Sequence, residues 1–362
     1  MVNIRDIYNP RIIAAVHTES GSNKIPYLGL GLFPAKKKMG LDLKWIKTSK
    51  GLPVSLMPSA FDTVSTIRSR EGIKMEETEM AYFKESMIVK EQDEQDLMKL
   101  EDANSPFLAE VRDRIFNDAE TLIEGAEVVP ERMRMSLLAD ANGHPSISIA
   151  ADGATYAYNY DPNSTYSTNN YVALSGTSLW SDTTNSDPMK DVADAQDKVE
   201  AATGVRPTKM ICSKKTMNLL KQNTKIKNYI LAQNTTATVM VTDARVKEIF
   251  STELGVTILV YTKLYKDESG TAKKFYPDGM VTLIPDGALG NTWFGMTPEE
   301  RTGVKDPAKQ VALVGEGIAV GVTITDDPIH TKTTASEIVL PSFERMDETY
   351  MIKVESTVSY TV

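Results

Sequence analysis

The chain has 362 residues, of which 41% are hydrophobic and 25% charged, and its formal charge at pH 7 is −9. This length suits two or three globular domains, and the lack of any run of 18 apolar residues excludes a predicted membrane-spanning helix. The N-terminal sequence lacks the long apolar region of a secretory signal, and the only cysteine, Cys212, has no partner for an internal disulfide. We therefore expect folding in the cytosol and a buried Cys212 that serves packing.

Charge is unevenly distributed along the chain. Residues 1–50 contain nine Lys or Arg against three acids, whereas residues 71–131 contain 18 acids against six bases. A basic segment and an acidic body on one chain favour self-association, and a basic segment can equally bind an outside polyanion.

The first ninety residues predict extended structure. Residues 1–40 have no sustained hydrophobic period and are punctuated by Asn, Pro and Gly, which indicates an extended arm. Residues 41–90 mix β-branched, aromatic and charged residues around a turn candidate at Ser69–Gly72, which predicts a hairpin with arms of about fifteen residues. An isolated two-stranded ribbon is only marginally stable in water, so the pattern suggests that a partner surface covers it.

A long helix is predicted next. Ser105 is a candidate cap, Pro106 suits the first turn, and apolar residues recur every three or four positions from Leu108 to Leu137. A continuous helix over residues 105–141 would have about 36 residues and be about 54 Å long. Pro130 falls inside the pattern and is expected to kink or break the helix.

Residues 135–189 contain no Lys or Arg and are rich in Tyr, Asn, Ser and Thr. We interpret them as a polar, partly β insertion at the surface. The sequence from Asp140 resembles the start of a calcium loop, but no glutamate occupies the last ligand position, so the surface interpretation is favoured.

Alternating helices and strands are predicted from Asp187 onward. One helix begins with the cap Asp187 and Pro188 and ends at Gly204, with Val192, Ala195, Val199 and Ala202 on its inner face. The remaining elements are a strand at residues 207–212, a helix from Ser213 to Leu220, a helix from the cap Thr242 to Gly255 with Val246, Ile249 and Leu254 inward, and a buried strand at residues 256–262.

The tripeptide Pro-Asp-Gly occurs twice between Phe275 and Gly290. Each copy suits a tight turn whose glycine, Gly279 or Gly287, has a positive φ angle. The pattern predicts a three-stranded meander in which residues 272–276 pair with residues 280–284. Strands at residues 311–325 and 350–362 are expected to return and pack on the long helix, so the predicted fold class is α+β.

No motif in the sequence predicts chemistry. His17, His144 and His330 have no ligand partners at metal-binding spacing, and Gly315, Gly317 and Gly321 resemble a dinucleotide fingerprint only loosely because no helix follows them. Strand glycines at bends explain that run better. Lys36, Lys37 and Lys38 predict either a solvated loop paired with an acidic neighbour or a contact with a packaged polyanion. We therefore assign no catalytic residue, no cofactor site and no metal site.

Several segments resemble one family, the lambda-like (E-type) phage major capsid proteins. The strongest resemblance lies in VTILVYTKLYKDESGTAKKFYPDGMVTLIPDGALGNTWFG, which is similar to the family's axial domain. The segment LWSDTTNSDPMKDVADAQDKV, with Trp180, Asp187, Pro188 and Asp191, resembles the entry into that domain. The segments LFPAKKKMGLDLKWIKTSKGLPV and IRSREGIKMEETEMAYFKES resemble the family's N-terminal arm and extended loop.

The resemblance implies the Hong Kong 97 capsid fold, an α+β fold. The implied parts are an N-terminal arm (residues 1–45), an extended β loop (46–90), a spine helix and peripheral domain (91–140), a polar insertion (141–186), an axial domain (187–320) and returning C-terminal strands (321–362). The implied function is that of a major head protein, without enzymatic activity, in an icosahedral shell around double-stranded DNA.

The implied partners are further copies in pentamers and hexamers, a scaffolding protein, a portal ring, a decoration protein and, without sequence specificity, packaged DNA. Assembly is expected in the host cytoplasm, away from membranes. Two alternatives remain open: an encapsulin-like or other self-assembling phage structural protein, which would form shells with a cargo enzyme and no genome, and a soluble enzyme with an unrecognised site.

Overall fold

The computed structural model describes residues 25–46, 75–89, 107–151, 154–231, 241–305, 311–326 and 329–361. Within these ranges the helices are α1 (Leu28–Leu32), α2 (Phe107–Leu138), α3 (Thr165–Asn169), α4 (Pro188–Thr203), α5 (Lys214–Gln222), α6 (Thr224–Leu231), α7 (Asp243–Leu254) and α8 (Pro298–Lys305).

The strands occur mostly in runs between these helices, as expected for an α+β chain. They are β1 (Ala35–Lys37), β2 (Asp42–Ile46), β3 (Met75–Glu79), β4 (Ala81–Val89), β5 (Ser146–Ala151), β6 (Ala154–Asn159), β7 (Tyr171–Ala173), β8 (Lys209–Cys212), β9 (Thr257–Val260), β10 (Leu264–Lys266), β11 (Ala272–Asp278), β12 (Met280–Ile284), β13 (Asn291–Gly295), β14 (Val311–Val314), β15 (Ile318–Asp326), β16 (Ile329–Ser342), β17 (Tyr350–Lys353) and β18 (Ser359–Thr361).

The chain divides into two compact units. The first unit takes its described residues from Met1–Leu43, Glu77–Met133 and Asn291–Ser342, and the second from Lys44–Glu76, Arg134–Gly290 and Phe343–Val362. Each unit is therefore assembled from segments that are far apart in the sequence.

A six-stranded sheet forms the first unit. Its strands follow the order β1-β13-β16-β15-β14, and β4 also pairs with β16. Ile123 of α2 is fully buried against Val314, Ile318 and Val320. This contact confirms the predicted return to the long helix for residues 311–325, whereas residues 350–362 contribute β17 and β18 to sheets of the second unit.

The long helix α2 continues past Pro130. It has 32 residues and includes the proline, so the predicted break is wrong, while the predicted kink at Pro130 stays a prediction. A proline inside a helix removes one backbone hydrogen bond. Burial of the apolar side chains of Pro130 and Met133 stabilises this stretch in spite of the lost bond. The predicted cap, Ser105, and Pro106 lie outside the described residues.

The N-terminal segments are more regular than the sequence predicted. The supposed arm contains α1 and β1, and β1 pairs in parallel with β13. The described part of the ribbon, β2 with β3, has five residues a side, and its predicted tip at Ser69–Gly72 lies outside the described residues. Beyond Met80 the chain leaves the ribbon, because β4 pairs with β16 in nine consecutive positions. The sequence predicted that the second strand of the hairpin would have about fifteen residues and include residues 81–89. This prediction is wrong for residues 81–89.

A five-stranded sheet with the order β7-β17-β12-β8-β9 forms the centre of the second unit. Helices α4 to α7 contribute to the core on this sheet. The predicted bounds of α4, α5 and α7 are confirmed to within two residues, and α6 was not predicted. The side chain of Asp187 accepts a hydrogen bond from the Lys190 backbone N–H, and Gly204 ends α4 with a φ of 75°.

One inward position of α4 was predicted wrongly. Ala202 is exposed, and Gln196 is fully buried among the apolar residues instead. Its Nε2 donates to the Pro207 carbonyl at 2.7 Å, and this hydrogen bond allows a polar side chain to be buried.

The polar segment at residues 141–186 is only partly a surface insertion. It forms the β5–β6 hairpin, but β7 then joins the five-stranded sheet beside β17. Trp180 is fully buried, and its Nε1 donates to Asp191 Oδ2 at 3.0 Å. The segment therefore contributes to the core of the second unit as well as to its surface.

The predicted meander around the Pro-Asp-Gly copies is wrong, although the turns are right. Gly279 and Gly287 have φ angles of 80° and 88°, which confirms the left-handed turn positions. The strands that the turns join do not pair with each other. β11 pairs with β10 and β18, β12 pairs with β8 and β17, and β13 pairs with β1 and β16. Each turn moves the chain from one sheet to another.

Gly279 is expected to be intolerant of a side chain. A Cβ atom there would lie 2.6 Å from the Thr357 backbone oxygen, in addition to the backbone penalty. We expect Gly279→Val to lower the free energy of unfolding by about 3 kcal/mol, from about 1–2 kcal/mol for the left-handed backbone and about 1–3 kcal/mol for overpacking.

The matched control is Gly270→Val. Gly270 also has a φ of 80° but has no atom within 4 Å of its Cβ position. The free energy of unfolding of this variant should therefore fall only by the cost of the left-handed backbone. Urea denaturation of both variants measures the difference, and equal losses would show that the contact with Thr357 has no effect.

Candidate functional site

Two adjacent glutamates at the start of α8 form a polar junction in the first unit. Thr297 caps the helix, since its Oγ1 accepts a hydrogen bond from the Glu300 N–H at 3.2 Å. Glu299 and Glu300, which we call the carboxylate junction, therefore lie in the first turn, where the helix dipole favours negative charge.

Glu299 connects three side chains from two strands of the six-stranded sheet. Its carboxylate accepts hydrogen bonds from Tyr82 Oη at 3.1 Å and Lys84 Nζ at 2.5 Å, both on β4. It also accepts one from Ser336 Oγ on β16 at 2.9 Å. Because β4 directly follows the ribbon strand β3, Glu299 fixes the chain where it leaves the ribbon.

The pKa of Glu299 is lowered below its ordinary value. Burial by itself raises the pKa, but the hydrogen bonds from Lys84, Ser336 and Tyr82 together outweigh that effect. The carboxylate is therefore held in its charged form by the strands that it contacts.

Glu300 holds the N-terminal strand β1. Its Oε1 lies 2.6 Å from Lys37 Nζ, and the two side chains are 10% and 31% exposed. The other two lysines of the cluster also have partners, since Lys36 lies over the Trp293 ring and Lys38 Nζ donates to the Asp42 carbonyl. The predicted pairing with an acidic neighbour is confirmed for Lys37, although Lys36 and Lys37 lie on a strand and not in a loop.

Two backbone contacts bring the arm and the base of the ribbon into the same unit. Gly29 N–H donates to Glu131 Oε1 at 3.0 Å, and Met80 N–H donates to the Leu41 carbonyl at 2.9 Å. Together with the carboxylate junction they attach the arm and the ribbon base to α2 and the sheet.

Cys212 lies in the core of the second unit, as predicted. It is fully buried on β8, and burial raises the pKa of its thiol to about 12. A thiol with such a pKa is unreactive at neutral pH, so its role is packing.

The histidines and Asp140 make structural contacts or lie outside the described residues. His144 Nδ1 lies 3.3 Å from Asp161 Oδ2. The Asp140 carboxylate accepts hydrogen bonds from the backbone of Asn142 and His144, as in a polar turn. His17 and the side chain of His330 lie outside the described part.

The glycine run after β14 is a hairpin. Gly315 has a φ of 59° in the turn, and Gly321 lies within β15. A Cβ on Gly317 would lie 2.2 Å from the Phe294 ring. Turn geometry and tight packing account for Gly315 and Gly317, which lie in the turn, and the interpretation as a strand glycine is confirmed only for Gly321.

Within the described ranges, no three His, Cys, Asp or Glu side chains are grouped so that they could hold a metal ion. No helix in the described part of the chain is long and apolar enough to cross a membrane.

The sequence analysis missed the carboxylate junction. The run Thr297-Pro298-Glu299-Glu300 carries the signature of a helix start, with a capping residue followed three positions later by glutamate. That signal could have identified α8. It could not have identified Tyr82, Lys84 and Lys37 as partners, because they are more than 200 positions away.

Comparisons with known proteins agree with this architecture. A family model described as phage major capsid protein E matches residues 14–354. The crystal structure of a putative prophage capsid protein from E. coli CFT073 aligns with a TM-score of 0.58 and 15% identity, over 96% of this chain and 99% of that chain. A phage-related protein from Bordetella bronchiseptica RB50 aligns with a TM-score of 0.55 and 15% identity, over 96% and 97% of the two chains. No curated protein matches the sequence.

At this level of identity the solved structures establish the fold, and the fold is the Hong Kong 97-like fold of phage capsid proteins. The family match extends over nearly the whole chain, including the residues of the carboxylate junction. The chain belongs to the phage major capsid protein E family.

Proposed function

We propose that this chain is the major head subunit of a tailed phage. Copies assemble as pentamers and hexamers into an icosahedral shell that encloses double-stranded DNA, and they do so in the host cytoplasm. The family match over residues 14–354 carries this proposal. The role is structural and not catalytic.

The proposed partners are those that a phage head needs during assembly. A scaffolding protein guides assembly, a portal ring occupies one vertex, and a decoration protein binds the outside. Packaged DNA contacts the inner surface without sequence specificity. Closed shells need heterologous contacts between identical copies, so the subunit has to carry complementary surfaces on different sides.

The parts of the chain have separate tasks in the proposed shell. The arm (1–45) and the extended loop (46–90) cover neighbouring copies, while the spine and peripheral residues (91–140) and the returning strands (321–362) form the body. Of the predicted axial domain (187–320), residues 187–290 belong to the second unit, and we assign these and the polar residues 141–186 to the symmetry axes. The carboxylate junction lies in the first unit and supports the separate tasks of arm and loop, because it contacts β1 and β4.

Shell formation is the direct test. We expect the purified chain, mixed with its scaffold, to form capsomers or closed shells that are visible by negative-stain electron microscopy. A species that stays monomeric in sedimentation at high concentration, with scaffold present, would contradict the proposal. Small empty shells with an enzyme as cargo would indicate an encapsulin-like compartment instead.

Lys37→Gln is expected to impair assembly more than folding. The substitution leaves Glu300 without its cationic partner in a nearly buried site and loosens β1, at an expected cost of about 1–3 kcal/mol. The matched control is Lys190→Gln, which removes an exposed pair with Asp194 and should leave the stability close to that of the wild type.

Circular dichroism of the Lys37→Gln chain should show native helix content, and sedimentation should show fewer shells than the wild type forms. Equal shell yields for the two variants would mean that the Lys37–Glu300 pair does not guide the arm.

Glu299 should make the first unit sensitive to acid. Its folded-state pKa lies below the unfolded value of about 4.3, so its contribution to stability is present above that pH and is lost as the pH falls through the lower folded value. Glu299→Gln removes this contribution. The wild type should therefore lose more free energy of unfolding than the variant between about pH 6 and about pH 3.

Glu85→Gln is the control, because Glu85 is exposed on the same strand β4. Urea denaturation at each pH measures the effect. If Glu299→Gln and Glu85→Gln follow the same pH dependence, the hydrogen bonds at Glu299 do not contribute to acid sensitivity.

A further inference from the structure

The turn between β1 and β2 carries two exposed apolar side chains. Met39 and Leu41 flank Gly40, and they are 80% and 49% exposed. Met39 is the most exposed large apolar side chain in the described part of the chain. Large apolar side chains that lie side by side in water commonly mark a contact with another protein. We call residues 39–41 the apolar tip.

Backbone hydrogen bonds hold the apolar tip at both ends. Lys38 N–H donates to the Phe294 carbonyl at 2.8 Å before the tip, and Met80 N–H donates to the Leu41 carbonyl at 2.9 Å at its end. Gly40 has a φ of 94°, a left-handed conformation that glycine adopts without strain. Because the backbone is already ordered, docking of the tip on a partner costs little further backbone entropy.

The residues next to the apolar tip carry a net positive charge. Lys37 is neutralised by Glu300. Lys36 lies over an uncharged aromatic ring, and Lys38 Nζ donates to an uncharged backbone carbonyl. These two lysines have no acidic partner among the residues that the structure describes, and Asp42 is the only acid in residues 36–42. Two ammonium groups therefore accompany one carboxylate beside the tip.

A shallow groove of about 180 Å³ lies between α6 and α7 in the second unit. Its floor is apolar because Ile230 and Ile249 are buried there, and the partly exposed ring of Tyr229 forms part of its wall. Pockets for small-molecule ligands usually have about 300–1,000 Å³. The groove is smaller than these pockets and therefore suits a single apolar side chain.

The charged residues that line the groove have a net negative charge. They are Arg245, Glu248 and Glu253. Arg245 pairs with Glu248 at 2.7 Å, so these two charges compensate each other. Glu253 accepts a hydrogen bond from the uncharged Tyr229 phenol and has no cationic partner in the described ranges. One uncompensated carboxylate thus remains at the groove, opposite in sign to the charge beside the apolar tip.

We propose that the groove between α6 and α7 binds Met39 of a second copy of this chain. The unbranched methionine side chain fills the apolar floor, and the lysines beside the tip approach Glu253. The proposal rests on the proposed function, because a closed shell of identical copies needs contacts between two different faces of the subunit. The tip belongs to the first unit and the groove to the second, so they are two such faces.

The chemistry of both surfaces favours a second copy over nucleic acid. Binding to nucleic acid depends on cations that contact many phosphates, whereas the tip is apolar and the groove is acidic. Tip and groove match each other in apolar character and are opposite in charge. An apolar side chain in a fitting pocket is typical of the centre of a protein interface, and opposite charges around it fix the orientation.

Engineered cysteines test the contact directly. Cys212 is fully buried and the pKa of its thiol is raised to about 12, so it does not compete with thiols placed on the surface. Full-length chains with Met39→Cys are mixed with chains that carry Thr252→Cys, an exposed position in the groove. Under the conditions in which the wild type forms shells, a mild oxidant should link the two chains by a disulfide.

The control mixture contains Met39→Cys chains and Lys266→Cys chains. Lys266 is as accessible as Thr252 in kind, since both are exposed in the second unit, but it lies on β10 and outside the groove. A non-reducing gel should show about tenfold more linked dimer in the Thr252→Cys mixture, because a disulfide needs Cα atoms within about 7 Å of each other.

Substitutions at the tip measure its contribution to assembly. Met39→Asp should lower the yield of shells by about tenfold or more, because a charged group cannot fill an apolar pocket. Met39→Leu is the matched control, since it stays apolar and should assemble like the wild type. Thr252→Arg fills the groove from the other side and should also lower the yield. Circular dichroism and thermal unfolding establish that each variant folds.

Each outcome decides for or against the contact. Equal amounts of linked dimer in the two cysteine mixtures, or wild-type shell yields from a folded Met39→Asp chain, overturn the contact and leave the proposed function intact. Equal losses for Met39→Asp and Met39→Leu also overturn it, because the apolar character of the tip would then have no effect. A wild-type chain that never assembles overturns both the contact and the proposed function.

Discussion

The structure of the first unit depends on the charge pairing at the first turn of α8. Glu299 and Glu300 together contact β1, β4 and β16, three strands that come from both ends of the chain. Of these strands, β1 belongs to the predicted arm and β4 follows the ribbon strand β3. A buried carboxylate needs hydrogen-bond partners to remain charged, and the strands supply them. The requirement for partners thus fixes where the arm and the ribbon begin.

A different constraint acts on the chain around β12, because the backbone passes from one sheet to another within a few residues. The two Pro-Asp-Gly copies turn the chain so sharply that β11, β12 and β13 each enter a different sheet. A residue with a side chain would not fit at Gly279, where the Thr357 backbone passes close by. The fully buried strand β12 shares one hydrophobic core with helices α4 to α7.

Local sequence signals were sufficient for many elements. The bounds of α4, α5 and α7 follow from capping residues, apolar spacing and terminal glycines, all of which act within a few residues. Burial of Cys212 and the positive φ angles of Gly279 and Gly287 were predictable for the same reason. The pattern of predicted helices and strands supplied the α+β class, and the family resemblance supplied the capsid fold. The predicted strands alone would not have identified that fold, because their pairing was not known.

The sequence by itself determined the bounds of α4, α5 and α7, the two Pro-Asp-Gly turns and the burial of Cys212, because these properties depend on neighbours along the chain. Only the tertiary structure decided which strands pair, that Pro130 remains inside a helix, and that Gln196 replaces Ala202 in the core. It also decided that Lys37, Tyr82 and Lys84 meet Glu299 and Glu300 from more than 200 positions away. Strand order and long-range polar contacts depend on packing between distant segments, and no local pattern encodes which distant segment will be the partner.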